Sequence, residues 1–387
     1  MEFSNRLKGL PAQFFATLVK KVNQAYAEGR DVINLGQGNP DQPTPPHIVK
    51  ALQQSAAEPN THKYSPFRGT TELKQSAVDF YKREYNVDLD AETEVAILFG
   101  TKIGLVELPL ALMNDEELLL LPDPGYPDYL SGVGLANVRH EVMPLLRENK
   151  FLPDYDELSS KQLEEAKLLY LNYPNNPTGA TATKDFFEET VELARKNSVG
   201  IVHDFAYGAI GFDGNKPISF METQGAKEVG IELYTLSKTY NMAGWRVGFA
   251  VGNAKMIEAI NLLQDHLFVS IFPAVQHAAA VALSEDQFCV DELVQLYEGR
   301  RNVLIAECER IGWKVDAPAG SFFAWLPVPK DYTSEEFADY LLEKADVAVA
   351  AGNGFGSFGE GYVRIGLLVD EHRLKEAIQR IEKLNIF

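Results

Sequence analysis

Lys238 stands just past an apolar run, Val229–Leu236, with Thr235 three residues before it and Arg246 eight residues after it. An amine at the end of a buried strand is partly withdrawn from water. That lowers its pKa and lets it attack carbonyl groups, as in Schiff-base enzymes. A guanidinium and a hydroxyl close by suit a phosphate. A surface lysine beside a structural arginine has the same spacing, so residues elsewhere in the chain must decide between the two.

Asp204 ends a second apolar run, Val199–Asp204, and Tyr207 follows it. A carboxylate in that position is costly unless paired, so a cationic or N–H partner is expected. His203 points to the other face of the sheet and reads as a satisfied structural histidine. Asn172–Gly179 (NYPNNPTG) can be neither helix nor strand, and its prolines make a rigid turn that aims the Asn176 amide. The Asn176–Pro177 bond is expected to be cis.

Gly100-Thr-Lys-Ile-Gly104 follows an apolar strand and opens a helix. Such a turn either cups an anion with backbone N–H groups or is only a tight strand-to-helix connection. It fits neither G-x-x-x-x-G-K-[ST] nor G-x-G-x-x-G. Gly36–Pro46 is a Gly/Pro loop that either lets backbone approach a ligand or merely links elements. His62–Gly69 is an aromatic and glycine loop containing Tyr64. Pro122–Tyr129 places Tyr126 and Tyr129 after a strand, where an aromatic stacks on a flat ligand or rims the core. Arg364, in Gly361–Gly366, reads either as a carboxylate fork or as a surface ion pair.

The elements that must position these residues alternate between strand and helix through the middle of the chain. That pattern implies an α/β fold with an open, mostly parallel sheet, whose ligands lie off the carboxyl ends of the strands. Strands are expected at 31–35, 94–99, 117–121, 166–171, 199–204, 229–236 and 246–252. The long helix expected at 286–311 introduces an α+β region with strands at 312–316, 321–326, 346–350 and 361–367. The expected division is a large ligand-binding domain, 43–282, and a smaller α+β domain formed by 1–42 and 283–387. A chain of 387 residues is long for a single core.

The net charge of −19 disfavours nucleic acid and anionic membrane as partners. No apolar run approaches the ~18 residues of a membrane span. Met1–Leu10 has no apolar signal core. Cys289 and Cys308 lack metal-ligand spacing and fit a reducing cytoplasm; no metal is expected.

A lysine, a buried carboxylate, a stacking aromatic and phosphate donors together fit pyridoxal phosphate, and the dinucleotide fingerprint is missing. At these residues the chain resembles the fold-type I, class I/II pyridoxal-phosphate aminotransferases. Asn176-Pro-Thr-Gly179, Asp204-x-x-Tyr207 and Thr235-x-x-Lys238 with Arg246 stand in that family's order and spacing. The resemblance implies that Lys238 holds the cofactor covalently and moves the substrate proton. Asp204 then pairs with the pyridine nitrogen, and Asn176 and Tyr207 bond the ring oxygen. Tyr126 is the stacking aromatic, with Tyr129 as the alternative. Thr101, Lys102, Thr235 and Arg246 form the phosphate cup, and Tyr64 reaches the phosphate of the neighbouring subunit of a homodimer with shared sites. Arg364 binds the substrate α-carboxylate, and Gly38 lies in the loop over it. Thr235 departs from the serine common in the family, but the hydroxyl is retained.

Within the family, HDFAYGAIGFDG, YTLSKTYNMAGWRVGFAVGN and APAGSFFAWLPVP are similar to the bacillus-type branch of methionine salvage. That branch aminates 2-keto-4-methylthiobutyrate to methionine. The reaction expected is thus transfer of an amino group between an amino acid and a 2-keto acid. A neutral, apolar side chain is expected, with Phe14, Phe15 and Phe67 lining its end of the site. Competing readings are an aminotransferase for LL-diaminopimelate, aromatic or branched-chain substrates, a lyase, racemase or decarboxylase with the same cofactor, and a cofactor-binding regulator.

Overall fold

The computed structural model describes residues 2–11, 13–268 and 270–387. Its strands are β1 (Ile33–Asn34), β2 (Val95–Leu98), β3 (Leu118–Asp123), β4 (Arg139–Pro144), β5 (Ala166–Leu171), β6 (Gly200–Asp204), β7 (Gly230–Thr235), β8 (Gly248–Gly252), β9 (Phe323–Pro327), β10 (Val347–Ala348), β11 (Ala350–Ala351) and β12 (Tyr362–Gly366). Seven of them form one sheet in the order β2-β8-β7-β6-β5-β3-β4.

The sheet is parallel from β7 to β4, while β8 runs antiparallel to both β7 and β2. Parallel neighbours need a long crossover, usually a helix. Only the short stretch 236–247 joins β7 to β8, so the chain turns straight back. That return matters for the site. Lys238 follows the end of β7 and Arg246 precedes the start of β8, and antiparallel pairing puts those two ends together.

Both faces of the sheet are covered. Leu118, Leu120, Leu169 and Ile201 face a core with Phe80, Phe187 and Phe205. Their neighbours Leu119, Leu121, Leu168 and Val202 face a second core with Leu105, Leu108 and Ile257. The side-chain period of two in a strand explains the split, and double coverage explains why these strands read as unbroken apolar runs.

A three-stranded antiparallel sheet, β11-β12-β9, has a core of its own around Trp313, Phe337, Leu341 and Ile378. The N-terminal part joins it: β1 pairs in parallel with β10, Ile33 opposite Val347. The helix Phe288–Arg310 contributes Tyr297 and Leu304 to the same core.

Four features differ from the sequence expectation, the first being that the single strand expected at 346–350 is two, β10 and β11, in separate sheets. β4 is additional; Arg139, His140 and Glu141 hide an edge strand that leaves one side of the sheet exposed. The helix Tyr129–Ala136 is also additional. Its Gly132 lies so close to the helix Thr101–Leu112 that a Cβ would meet Leu105 O at 3.3 Å, so a residue type read as loop serves helix packing. Residues 312–316 form no strand; Trp313 instead stacks on Phe387 at 4.6 Å between ring centroids. The Asn176–Pro177 bond is cis as expected, and so are Asp123–Pro124 and Tyr173–Pro174. Among the described residues no helix is long and apolar enough to cross a membrane, and no His/Cys/Asp/Glu cluster could hold a metal.

Candidate active site

A cavity of about 590 Å³ opens at the carboxyl ends of β3, β5, β6 and β7. Gly38, Thr101, Lys102, Tyr126, Asn176, Asp204, Tyr207, Thr235, Lys238, Arg246 and Arg364 all line it. They come from loops spread over most of the chain, and the sheet topology alone brings them together.

The floor is built around Asp204, the last residue of β6. Its backbone O accepts from Asn172 Nδ2 at 2.7 Å, and Asn172 Oδ1 accepts from the Asn176 backbone N–H at 2.8 Å. One asparagine thus ties the backbone of Asp204 to the turn that presents Asn176. The Tyr129 hydroxyl donates to Asp204 Oδ2 at 3.0 Å. Oδ1 is buried and has no hydrogen-bond partner. Burial pushes this carboxyl up to about 6, partly offset by the Tyr129 hydroxyl. Of the cationic or N–H partners expected for Asp204, the Ala206 backbone N–H contributes a hydrogen bond that lowers its pKa; the side-chain donor is a phenol, and Oδ1 has none.

The two tyrosines after β3 divide the work. Tyr126 lines the cavity, whereas Tyr129 is buried behind it, edge-on to Tyr126 at 5.6 Å and to Tyr170 at 5.4 Å. His203, on the reverse face, is fully buried and pairs with Glu232 Oε2 at 2.7 Å, the structural role expected of it.

Lys238 lies in the short helix Leu236–Thr239 that follows β7, and Thr235 is its N-cap. Lys238 Nζ donates to Gly38 O at 3.0 Å, which places the loop 36–46 directly over the amine. Burial, with the charges of Arg364 and Arg246, pushes the amine down to about 8. At that value a substantial share is neutral, and nucleophilic, near physiological pH.

At one end of the cavity Gly100 takes φ +77° and opens the helix Thr101–Leu112. A Cβ on Gly100 would lie 2.4 Å from Arg246 Nη2, so only glycine lets the guanidinium reach the helix N-terminus. The result is a nest of backbone N–H groups, a guanidinium and the Thr235 and Ser237 hydroxyls, which suits a phosphate.

At the other end Arg364 is 1 % exposed. Its Nη1 donates to Asn176 Oδ1 at 2.9 Å and its Nη2 to Gly36 O at 3.0 Å, while Nε is buried without a partner. The guanidinium carbon lies 3.9 Å from the ring centroid of Phe323, 4.7 Å from that of Phe355 and 5.1 Å from that of Phe15. Burial lowers its pKa to about 9, so it stays charged at neutral pH. A surface ion pair, the competing reading of this residue, is overturned by its burial.

These residues fit pyridoxal phosphate on the structure's own terms. Asp204 Oδ1 is a buried acceptor in want of a donor, an amine stands over the cavity, and an anion nest lies at its end.

The match to known proteins agrees. Residues 30–381 fit the family model for aminotransferase class I and II. The chain is a class I/II aminotransferase, and such enzymes depend on pyridoxal phosphate. The aminotransferase is 66 % identical, over 100 % of its own length and 97 % of the relative's, to the L-glutamine--4-(methylsulfanyl)-2-oxobutanoate aminotransferase of Bacillus subtilis. It is 44 % identical to the LL-diaminopimelate aminotransferase of Syntrophobacter fumaroxidans, covering 99 % of this chain and 98 % of the relative. It superposes on the apo structure of BacF from Bacillus subtilis with a TM-score of 0.96 at 48 % identity, over 100 % of this chain and 99 % of that one.

Not every residue singled out in the sequence reaches the aminotransferase's cavity. Tyr64 is 91 % exposed and lies in a separate surface depression with Ser270 and Phe272. Phe15 lines the cavity as expected, but Phe14 faces a neighbouring one and Phe67 lies on the surface. Reasoning from sequence missed Asn172, Ser237, Phe323 and the pair Leu18 and Val19. Asn172 and Ser237 sit within the motifs already picked out, so adjacency was an available signal. Phe323 carries no signal beyond an apolar strand.

Proposed function

We propose that the chain transfers an amino group from glutamine to 4-(methylsulfanyl)-2-oxobutanoate, forming methionine in a salvage step. The full-length relative named for that reaction supports it. The observation that carries the reading is the substrate end of the cavity. Arg364 is a single, fully buried cation under a wall of Phe15, Leu18, Val19 and Phe323. Among the described lining residues the other cations are Lys102, Lys238 and Arg246. Lys102 pairs with Asp128 at 2.8 Å, and Arg246 packs on Gly100. Two cations beside Tyr64 in the loop His62–Gly69 are committed elsewhere: Arg68 pairs with Glu258 and Asp265, and Lys63 bonds Asn60. A dicarboxylate would leave its second charge unpaired, at a cost that an apolar side chain avoids. A thioether packs well on aromatic rings.

In this reading the bound cofactor supplies an electron-accepting pyridine ring and a carbon that carries the amino group. The residues do the rest. Lys238 would hold the cofactor, and its amine, poised near neutrality, would take the Cα proton of the amino donor in one half-reaction and deliver a proton to Cα of the keto acid in the other. Asp204 Oδ1, a buried acceptor without a donor, would take the pyridine N–H and favour its protonated form. Asn176, whose Oδ1 already serves Arg364, offers its Nδ2 to the ring oxygen together with the Tyr207 hydroxyl. Thr101 and Lys102 by their backbone N–H groups, with Thr235 and Arg246, would hold the phosphate, and Tyr126 would stack on the ring. Arg364 forks the α-carboxylate, and the loop bearing Gly38 shields it from water.

The enzyme works as a homodimer in the cytoplasm. Tyr64, Phe67, Leu262, Leu267 and Phe272 are exposed apolar side chains that a second copy would cover. Tyr64 then completes the phosphate cup of the other subunit. Both cysteines are free, in keeping with a reducing compartment.

The test is kcat/KM for 4-(methylsulfanyl)-2-oxobutanoate, phenylpyruvate, 4-methyl-2-oxopentanoate and 2-oxoglutarate with glutamine as donor. The methylsulfanyl acid is expected to lead, with discrimination among apolar acids of roughly 10–200-fold per methylene. A value for 2-oxoglutarate equal to or above those of all apolar acids would overturn the apolar-pocket reading. A lead for phenylpyruvate would remove the salvage assignment alone.

A further inference from the structure

Leu35 bonds Ala348 O and the Gly366 N–H, and Gln37 Nε2 donates to Leu368 O at 3.3 Å, but past Gln37 the loop over Lys238 has no ladder to hold it. Gly36–Pro46 carries glycines and prolines, yet Gly38 O must sit at 3.0 Å from Lys238 Nζ and Gly36 O at 3.0 Å from Arg364 Nη2. Beyond Gly38, among the described residues, Asp41 is the one side chain before Thr44 that bonds outside the loop. Its partner is Arg300, in the helix Phe288–Arg310.

The geometry of that partner is specific. Arg300 Nη1 and Nη2 donate to the two oxygens of Asp41 at 2.9 and 2.8 Å, a bidentate fork. Nη1 also donates to Leu367 O at 2.9 Å, just past β12, the strand that carries Arg364. The Arg300 side chain is only 4 % exposed and Asp41 20 %. Tyr297 supports the pair, its ring lying 5.6 Å from the guanidinium carbon. One buried guanidinium therefore ties together the loop above the substrate and the strand end behind it. Neither residue lines the cavity.

We propose that Asp41 and Arg300 are a positioning pair for the substrate carboxylate: they set the height of the Gly36–Gly38 backbone against Arg364, so that carboxylate affinity depends on an ion pair that never touches substrate. The inference rests on the proposed role of Arg364. Loss of the pair frees Gly38 O and leaves Gly36 held only through the bonds of Leu35 and the Gln37 side chain. The contact of Gly36 O with Arg364 Nη2 then loosens, and the fork is held firmly only at Nη1, by Asn176 Oδ1. The helix that carries Lys238 and the Asp204 floor hang from other elements and keep their places, although the amine gives up Gly38 O as its partner. The effect falls on carboxylate binding rather than on the chemical step.

The test uses the holoenzyme in four forms besides wild type: Asp41→Asn, Arg300→Met, the double variant and Arg364→Lys. The readings are KM and kcat with glutamine, the Kd of 3-(methylsulfanyl)propanoate as a carboxylate probe lacking the amine, and the melting curve. Each of Asp41→Asn and Arg300→Met is expected to raise KM and the probe Kd roughly tenfold, with kcat within about threefold and the double variant no worse than the worse single. Asp41→Asn keeps shape at a partly exposed position, so it carries the test if Arg300→Met does not fold. An unchanged probe Kd in folded Asp41→Asn overturns the proposal, and so does a fall in melting temperature and kcat with no change in that Kd. Multiplying effects in the double variant also overturn it. Arg364→Lys separates the two readings. If it leaves the probe Kd unchanged, the carboxylate role of Arg364 fails. If it weakens the probe while Asp41→Asn does not, only the positioning pair fails.

Discussion

The Tyr129 hydroxyl donates to Asp204 Oδ2 at 3.0 Å and leaves Oδ1, buried and unpartnered, facing the cofactor cavity. The contact joins two functions that the sequence keeps apart. Tyr129 braces Tyr126 edge-on, and it holds the carboxylate in one rotamer. It also lowers the pKa of Asp204 against the rise that burial imposes.

Tyr129→Phe keeps the ring and deletes that donor. A hydrogen bond to a charged acceptor is worth about 1.5–3 kcal/mol, and one pKa unit is 1.36 kcal/mol, so Asp204 should rise by about one unit or more above its value near 6. In the apo protein the midpoint of the Asp204 titration, read from the pH dependence of melting, should move up by a similar amount. A melting profile identical to wild type would show that the hydroxyl does not tune Asp204.

Asp204→Asn should separate stability from function. In the apo protein the folded carboxyl titrates near 6 and the unfolded one near 3.8. The folded state therefore binds more protons between those values, and stability falls as pH rises through that window. The asparagine variant escapes this loss. Its apo form should melt higher than wild type at pH 7, with the difference vanishing below about pH 4. Turnover should fall by orders of magnitude, because an amide cannot balance a protonated pyridine. Equal melting temperatures at pH 7 would refute the burial cost.

Lys238 should be the reactive amine. With cofactor removed, its modification by an amine-directed reagent should follow a midpoint near pH 8, well below the 10.5 of an ordinary lysine. Burial is the main cause and the charges of Arg364 and Arg246 add to it, so Arg246→Met should move the midpoint upward. Borohydride reduction of the holoenzyme should fix the cofactor to Lys238, and Lys238→Ala should lose nearly all turnover. Label on another lysine would remove the assignment.

Shared sites predict complementation. Tyr64→Ala and Lys238→Ala subunits, each impaired alone, should form hybrids with one intact site, built from Lys238 of the first and Tyr64 of the second. Partial recovery of activity on mixing is the expected result. No recovery, with subunit exchange shown by mass, would place Tyr64 outside the partner's site.

Much of the candidate site was legible in the chain because its signals are local. Lys238 with Thr235 and Arg246, Asp204 with Tyr207, and the turn around Asn176 each lie within one strand end and the loop after it. Strand-then-loop chemistry of that kind needs only a few residues of context. The alternation of apolar runs and helices was enough for the large sheet, since doubly covered strands must be apolar throughout. The edge strand β4 was hidden because one exposed side lets charged residues in.

What the tertiary structure decided are contacts between residues remote in the chain. Tyr129 and Asp204 are 75 positions apart, Arg364 and Asn176 are 188, and Arg300 and Asp41 are 259. No local pattern tells a tyrosine that stacks from one that donates, or a surface arginine from a buried one. Tyr126 and Tyr129 differ in role only because the turn back into a helix buries the second against β5. The residue types and their order along the chain therefore set which chemistry was available. The packing of the two sheets around one cavity set which atoms were left without partners, because burial makes an unpaired donor or acceptor costly and so aims it at a ligand.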